Sequence, residues 1–243
     1  MAGHSKWANI KRRKAKVDAQ KGNLFSKLLR EVMVAARQGG GNPEANFRLK
    51  LAMQKARDGN VPGDGIARAI RKGTGEGEGA GIDEVTYEAY GPGGAAILVE
   101  AFTDNRNRTA GELRYLLTRH GGSMVEAGSV SWMFKRRGFL QVDRKKYPLS
   151  EDAMLALVLE SGAEDMETDE ESFTVLTAPD GLVAVEHSLE RGGLRAETSE
   201  IAMVPVTYLQ VTGEPAAILL RLLEVLDGHD DVQKVHCNVM LQP

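Results

Sequence analysis

The sequence predicts an α+β protein, with a basic three-helix N-terminal domain followed by two α+β (ferredoxin-like) domains, one inserted in the other. Three observations predict it. Apolar residues recur at helical spacing as far as residue 70 and then give way to alternating, strand-like runs between short amphipathic helices. A glycine-rich stretch, GTGEGEGAG at 73–81, separates the two regimes as a flexible linker. Charge is also segregated: residues 1–75 hold 17 Lys/Arg and 5 Asp/Glu, residues 76–148 hold 10 of each, and residues 149–243 hold 4 and 19. The whole-chain net charge of −3 therefore conceals a head of +12 and a tail of −15.

Within the head (1–75), residues 1–22 are polar and basic, too poor in apolar residues to bury a face, and read as an arm, helical in part. A first helix is expected from about Asn23 to Arg37, with Phe25, Leu28, Leu29, Val32 and Ala36 on one stripe and Gly39-Gly40-Gly41 as its stop. Asn42-Pro43 reads as the next helix start, an N-cap followed by Pro where no N–H is needed. That helix carries Ala45, Leu49, Ala52 and Ala56 inward, and Gly59-Asn60 stops it. A third, short helix follows Pro62, with Ile66, Ala69 and Ile70 inward and Arg68, Arg71 and Lys72 outward.

After the linker (76–81), EVTYEAY at 84–90 and GAAILVEAF at 94–102 flank GPG, a hairpin signal. A helix is expected over about 108–120 and a strand over SVSWMF, 129–134. From 138 the order is strand, helix 150–161, strands near 164–169 and 172–178, helix 181–191 and a strand near 194–203, the βαββαβ order of the ferredoxin-like fold. The tail adds strand 205–211, helix 214–227 with Leu219, Leu222, Leu223 and Leu226 inward, and strand 232–240. Neither the tail nor 82–135 can bury its own helix. They are therefore expected to form one discontinuous domain, 82–135 plus 205–243, with 136–204 inserted.

Several function classes are excluded at this level. Cys237 is the only cysteine, so neither an intramolecular disulfide nor a Cys-rich metal site can form. The N-terminus has no apolar h-region, and no apolar run approaches the roughly 18 residues of a spanning helix, which points to the cytoplasm and away from a membrane partner. There is no Walker loop and no GxSxG, and the glycines of 73–81 do not follow a strand. The expectation is a protein that is not an enzyme, with no cofactor, no metal and no small-molecule substrate. The acidic run Glu164, Asp165, Glu167, Asp169, Glu170 and Glu171 reads as the solvated face of a hairpin. Gly228 in DGHDD, 227–231, reads as a helix C-cap followed by a turn.

The charge segregation points instead to a polyanion. Lys6, Lys11, Arg12, Arg13, Lys14, Lys16 and Lys21 fall within sixteen residues, opposed only by Asp18. Cations at this density bind phosphates by releasing condensed counterions. Trp7, inside the run, can stack on a base or pack against the helices. Arg68, Arg71 and Lys72 extend the basic surface onto the third helix. In TDNRNRTA, 103–110, two readings stand side by side. Asn107 or Thr109 caps a helix while Asp104 holds a turn, or Arg106 and Arg108 face nucleic acid. Lys135, Arg136 and Arg137, then Arg144, Lys145 and Lys146, either extend the basic track or sit at solvated strand ends.

Five separated blocks carry a specific resemblance: GHSKWANIKRRKAK at 3–16, RAIRKGTG at 68–75, TDNRNRTA at 103–110, GSVSWMF at 128–134 and SEIAMVP at 199–205. On these the chain resembles the YebC-like family nearly end to end. The resemblance implies three domains and a probable transcriptional regulator. It also implies kinship with a mitochondrial translational activator and a ribosome-linked role proposed for bacterial members. Gly63 and Gly65 stand where the resemblance implies Lys and Asn, which removes one positive charge at the start of the third helix. The expected partner is nucleic acid, either ribosomal RNA, with the ribosome as the larger particle, or DNA. The head shows no recognition helix with base-reading side chains, which tilts the expectation towards ribosomal RNA.

Overall fold

The computed structural model describes residues 21–75 and 81–241, and these fall into two compact units. Described residues of the first lie in 21–131 and 212–237; those of the second lie in 132–211 and 238–241. In chain order the helical head carries α1 (Lys21–Gly39), α2 (Phe47–Asp58) and α3 (Gly63–Gly73). Then come β1 (Asp83–Tyr90), β2 (Ala96–Thr103), α4 (Arg106–Arg119) and β3 (Ser123–Val125). The second unit contributes β4 (Phe134–Asp143), α5 (Glu151–Glu160), β5 (Asp165–Thr168), β6 (Ser172–Thr177), α6 (Leu182–Arg191), β7 (Thr198–Pro205) and β8 (Leu209–Val211). The chain closes with α7 (Gly213–Asp227), β9 (Val232–Cys237) and β10 (Val239–Leu241). The fold is α+β, and no helix among the described residues is long and apolar enough to cross a membrane.

The head packs on small side chains. Val32, Ala35 and Ala36 of α1 meet Leu49, Ala52 and Ala56 of α2, Val61, and Ile66 and Ala69 of α3. The alanines let the helix backbones come close: a Cβ added at Gly73 would stand 2.4 Å from the Met33 carbonyl oxygen. Helix α2 does not start at Asn42-Pro43, which opens a turn instead. Asn46 is its cap, accepting from the Leu49 N–H at 3.0 Å while its own amide donates to the Ala35 and Gly40 carbonyls at 2.8 Å. One buried side chain thus satisfies the end of α1 and the beginning of α2 together.

The rest of the first unit is a four-stranded antiparallel sheet in the order β3-β1-β2-β9, which buries Leu113 and Leu117 of α4 and Leu219, Leu222, Leu223 and Leu226 of α7. The β1–β2 hairpin turns at Pro92–Gly94, where Gly93 and Gly94 adopt φ of 74° and 81°. The second unit carries β5-β6-β4-β7, antiparallel throughout, with α5 and α6 packed through Met154, Val158, Val185 and Leu189. This is the strand order that a βαββαβ chain gives in a ferredoxin-like fold.

Three segments depart from the pattern expected of the sequence. SVSWMF is not a strand: Ser131–Met133 form a 3-10 turn and β4 begins at Phe134. The Glu88 carboxylate takes the N–H groups of Gly128, Val130 and Ser131 that a ladder would have used. The run 205–211 breaks after Pro205 and resumes as β8. The run 232–240 divides at Asn238: β9 pairs with β2, whereas β10 pairs in parallel with β8.

Candidate nucleic-acid interface

The structure sorts the head's cations into two groups. On one side of α1, Lys27 pairs with Asp227 at 3.7 Å, and Arg30 pairs with Asp231 at 3.2 Å and with the Asp230 carbonyl. Arg37 meets Asp83 at 3.3 Å, and Arg48 of α2 meets Glu84 at 3.1 Å. Lys55 and Lys50 pair within the head, with Glu31 and Glu44. Arg57, Arg68, Arg71 and Lys72, by contrast, are exposed and form no ion pair among the described residues. Arg68, Arg71 and Lys72 stand at i, i+3 and i+4 and so share one face of α3, opposite the buried Ile66 and Ala69. Of the arm, Lys6, Trp7, Lys11, Arg12, Arg13, Lys14 and Lys16 lie outside the described residues, as does the side chain of Lys21.

Packing does not require the two departures at the start of α3. A Cβ at Gly63 would meet nothing within 4 Å, and one at Gly65 would make ordinary contacts with Leu29 from 3.6 Å. Either position has room for a side chain.

TDNRNRTA is a structural knot. Its cap is Asn105, whose side chain accepts from the Arg108 N–H at 3.1 Å; Asn107 is exposed and Thr109 is buried inside the helix. Of the two readings the sequence allows, capping is the one in force, but at Asn105 and not two or four residues later at Asn107 or Thr109. Thr103 sets this position: its hydroxyl accepts from the Asn105 N–H at 2.9 Å and fixes the helix entry. Thr103 and Thr109 bond each other at 2.7 Å, and both reach Asp231. Arg108 bonds Asp231 at 2.8 Å and Asp104 at 2.9 Å, and Arg106 bonds Asp83 at 2.9 Å. Arg106 and Arg108 thus have internal acid partners, unlike the cations of α3.

Asp231 is the hub, with a side chain only 5% exposed. Burial pushes its carboxyl up. Hydrogen bonds from Thr109 and Arg108 and the charges of Arg30 and Arg108 outweigh that and hold it below its ordinary value. Glu88 follows the same logic: burial raises it, but the N–H groups of Gly128, Val130 and Ser131 and the Ser131 hydroxyl bring it down. Glu112, His229 and Asp231 lie close enough to suggest metal ligands. Asp231 Oδ2 already accepts from Thr109 and Arg108, Oδ1 is ion-paired with Arg30, and the two guanidiniums would repel a cation. His229 accepts the Asp231 N–H on Nδ1 and donates from Nε2 to Glu112 at 2.8 Å. The cluster is a closed hydrogen-bond network.

One surface escaped the sequence reading. The outer face of α4 exposes Arg114, Tyr115 and Arg119, with the Arg119 guanidinium donating to the Tyr115 hydroxyl at 3.1 Å. The signal was available as helical spacing, but these residues form no run.

An α+β protein with a basic helical head, its cations divided between internal pairs and one open face, is the class that fold and site define. Residues 5–76 match the TACO1/YebC protein N-terminal domain, and residues 82–239 match the TACO1/YebC second and third domain. The chain is 50% identical over 242 residues, all of both chains, to a probable transcriptional regulatory protein of Pelotomaculum thermopropionicum. It is 52% identical over 242 residues, 99% of each chain, to one of Carboxydothermus hydrogenoformans. A crystal structure of a conserved hypothetical protein from Aquifex aeolicus superposes with a TM-score of 0.84, at 45% identity and over 94% of both chains. The chain belongs to the TACO1/YebC family.

Proposed function

We propose that this chain is a non-enzymatic, nucleic-acid-binding regulator of gene expression, and that it docks on ribosomal RNA through the basic arm and the open face of α3. The observation that carries the reading is the contrast between the paired cations of α1 and the unpaired Arg68, Arg71 and Lys72. Exposed cations that serve no internal partner are free to replace the counterions of phosphates. The names of the relatives support a regulator. RNA is favoured because α3 is a short helix of small residues whose outer face is cationic, which suits docking on phosphates by backbone and shape. The relatives' name, probable transcriptional regulatory protein, favours duplex DNA as the second reading. The polar networks around Asp231 and Glu88 are saturated by internal donors, which suits structural rather than acid–base work. The cytoplasm is the compartment this reading requires.

Binding to a ribosomal RNA fragment should fall about a thousandfold between 50 and 200 mM salt if roughly six cations meet phosphates. Reversing Lys11, Arg12 and Arg13, or Arg68, Arg71 and Lys72, to Glu should abolish it while the melting temperature stays nearly unchanged. Binding indifferent to salt would defeat the proposal. Sedimentation of lysate beside a genome-wide footprint separates the readings: sharp DNA peaks with nothing travelling among ribosomal particles would establish the second.

A further inference from the structure

Helix α4 lies on the sheet of the first unit through Thr109, Leu113 and Leu117. Its opposite face carries Asn107, Gly111, Arg114, Tyr115, Thr118 and Arg119, all exposed. Tyr115 is 60% exposed, an unusual place for a ring that the core beneath does not use. The Arg119 guanidinium donates to its hydroxyl at 3.1 Å. Arg114 hydrogen-bonds the Met124 sulfur, at 4.0 Å, and neither Arg114 nor Arg119 forms an ion pair among the described residues. Acids at the helix are already committed: Glu112 to His229, and Asp104 to Arg108. Five residues part Arg114 from Arg119, a backbone rise of about 7.5 Å along the axis. A Cβ on Gly111 would meet nothing within 4 Å, so the strip before the ring is open.

Two guanidiniums without an acidic partner among the described residues, beside an exposed ring and with no free acid between them, match a polyanion that also offers flat π-faces. An apolar protein partner would ask for aliphatic neighbours, and this face has none. We infer that the outer face of α4 is a second RNA-contact surface, with Arg114 and Arg119 meeting phosphates and Tyr115 stacking on an unpaired base. This rests on the RNA-binding reading above and adds a contact on the body to those of the head.

The test uses the full chain and a single-stranded ribosomal RNA fragment, read by fluorescence anisotropy against salt. Replacing Arg114 and Arg119 together by Gln should flatten the log–log salt dependence by about 1.4, the contribution of two phosphate contacts to a single strand. Tyr115→Leu should weaken binding by roughly 5- to 150-fold, and Tyr115→Phe should restore it, since the ring and not the hydroxyl stacks. All variants should melt with the wild type. If the wild type binds RNA and these variants match it in affinity and slope, the inference is overturned while the head's role stands. If the wild type does not bind RNA, the underlying reading falls. A Tyr115→Leu loss equally large on fully paired duplex, where no base is free, overturns the stacking assignment.

Discussion

Replacing Asp231 by Asn preserves the shape of the hub and removes its charge. Three donor groups converge on this side chain: Thr109 at 2.7 Å, Arg108 at 2.8 Å and Arg30 at 3.2 Å, while Thr103 gives its one proton to the Thr109 hydroxyl behind them. Breaking a fully buried ion pair costs about 3–5 kcal/mol. Here the guanidinium side chains are 25% and 44% exposed and recover hydration, so the charge contribution shrinks towards about 1 kcal/mol. The amide NH₂ of Asn would in turn face a buried hydroxyl or guanidinium donor, at a cost of about 1–3 kcal/mol. The expected loss is about 2–4 kcal/mol, a shift of about 1–2 M in the urea midpoint followed by far-UV circular dichroism. The pH dependence has a definite sign. The folded carboxyl titrates below its unfolded value of about 3.9, so its contribution is complete above about pH 4 and is lost as pH falls through the folded value. The gap between wild type and variant should therefore narrow below about pH 4. A midpoint change equivalent to less than about 0.5 kcal/mol at neutral pH would refute the hub.

Glu88→Gln should weaken three backbone hydrogen bonds of 2.6–2.9 Å, at about 1–2 kcal/mol, and hydrogen exchange should quicken at Val130 and Ser131. Gly73→Ala should destabilise the chain by about 2 kcal/mol in urea, because the new Cβ would stand 2.4 Å from a backbone oxygen of α1. Gly63→Lys should fold like the wild type, its side chain having open space, and should steepen the salt dependence of RNA binding by about 0.7 if the new charge meets a phosphate.

The helical head was legible because its stripes are local: Ile66 and Ala69 inward and Arg71 outward follow from spacing alone. What the sequence hid was decided across long separations. Asn42-Pro43 carries the stronger local start signal, yet Asn46 wins because it also bonds Ala35, eleven residues away. SVSWMF has strand composition, and Glu88, some forty residues earlier, removes its ladder. The run 232–240 reads as one strand, but its two halves find different partners, β2 and β8. Of the candidate site, the split between paired and open cations could not be seen, because Arg30 and Arg68 differ only in what the fold brings to them.

That split also bears on how the protein would respond to salt. Arg37–Asp83 and Arg48–Glu84 are half exposed, and such pairs contribute about 0–1 kcal/mol each, less as salt rises. Arg30–Asp231 differs, because the carboxylate is buried and saturated by hydroxyls that salt does not reach. The head also keeps its own core of Val32, Leu49 and Ile66. RNA affinity and head attachment, although both electrostatic, should therefore separate. Between 50 and 200 mM salt, where docking loses about a thousandfold, the melting transition of the free protein should move by no more than a few degrees. A melting temperature falling in step with affinity would mean that the same cations hold both the fold and the RNA. The assignment of Arg68, Arg71 and Lys72 to the ligand alone would then fail.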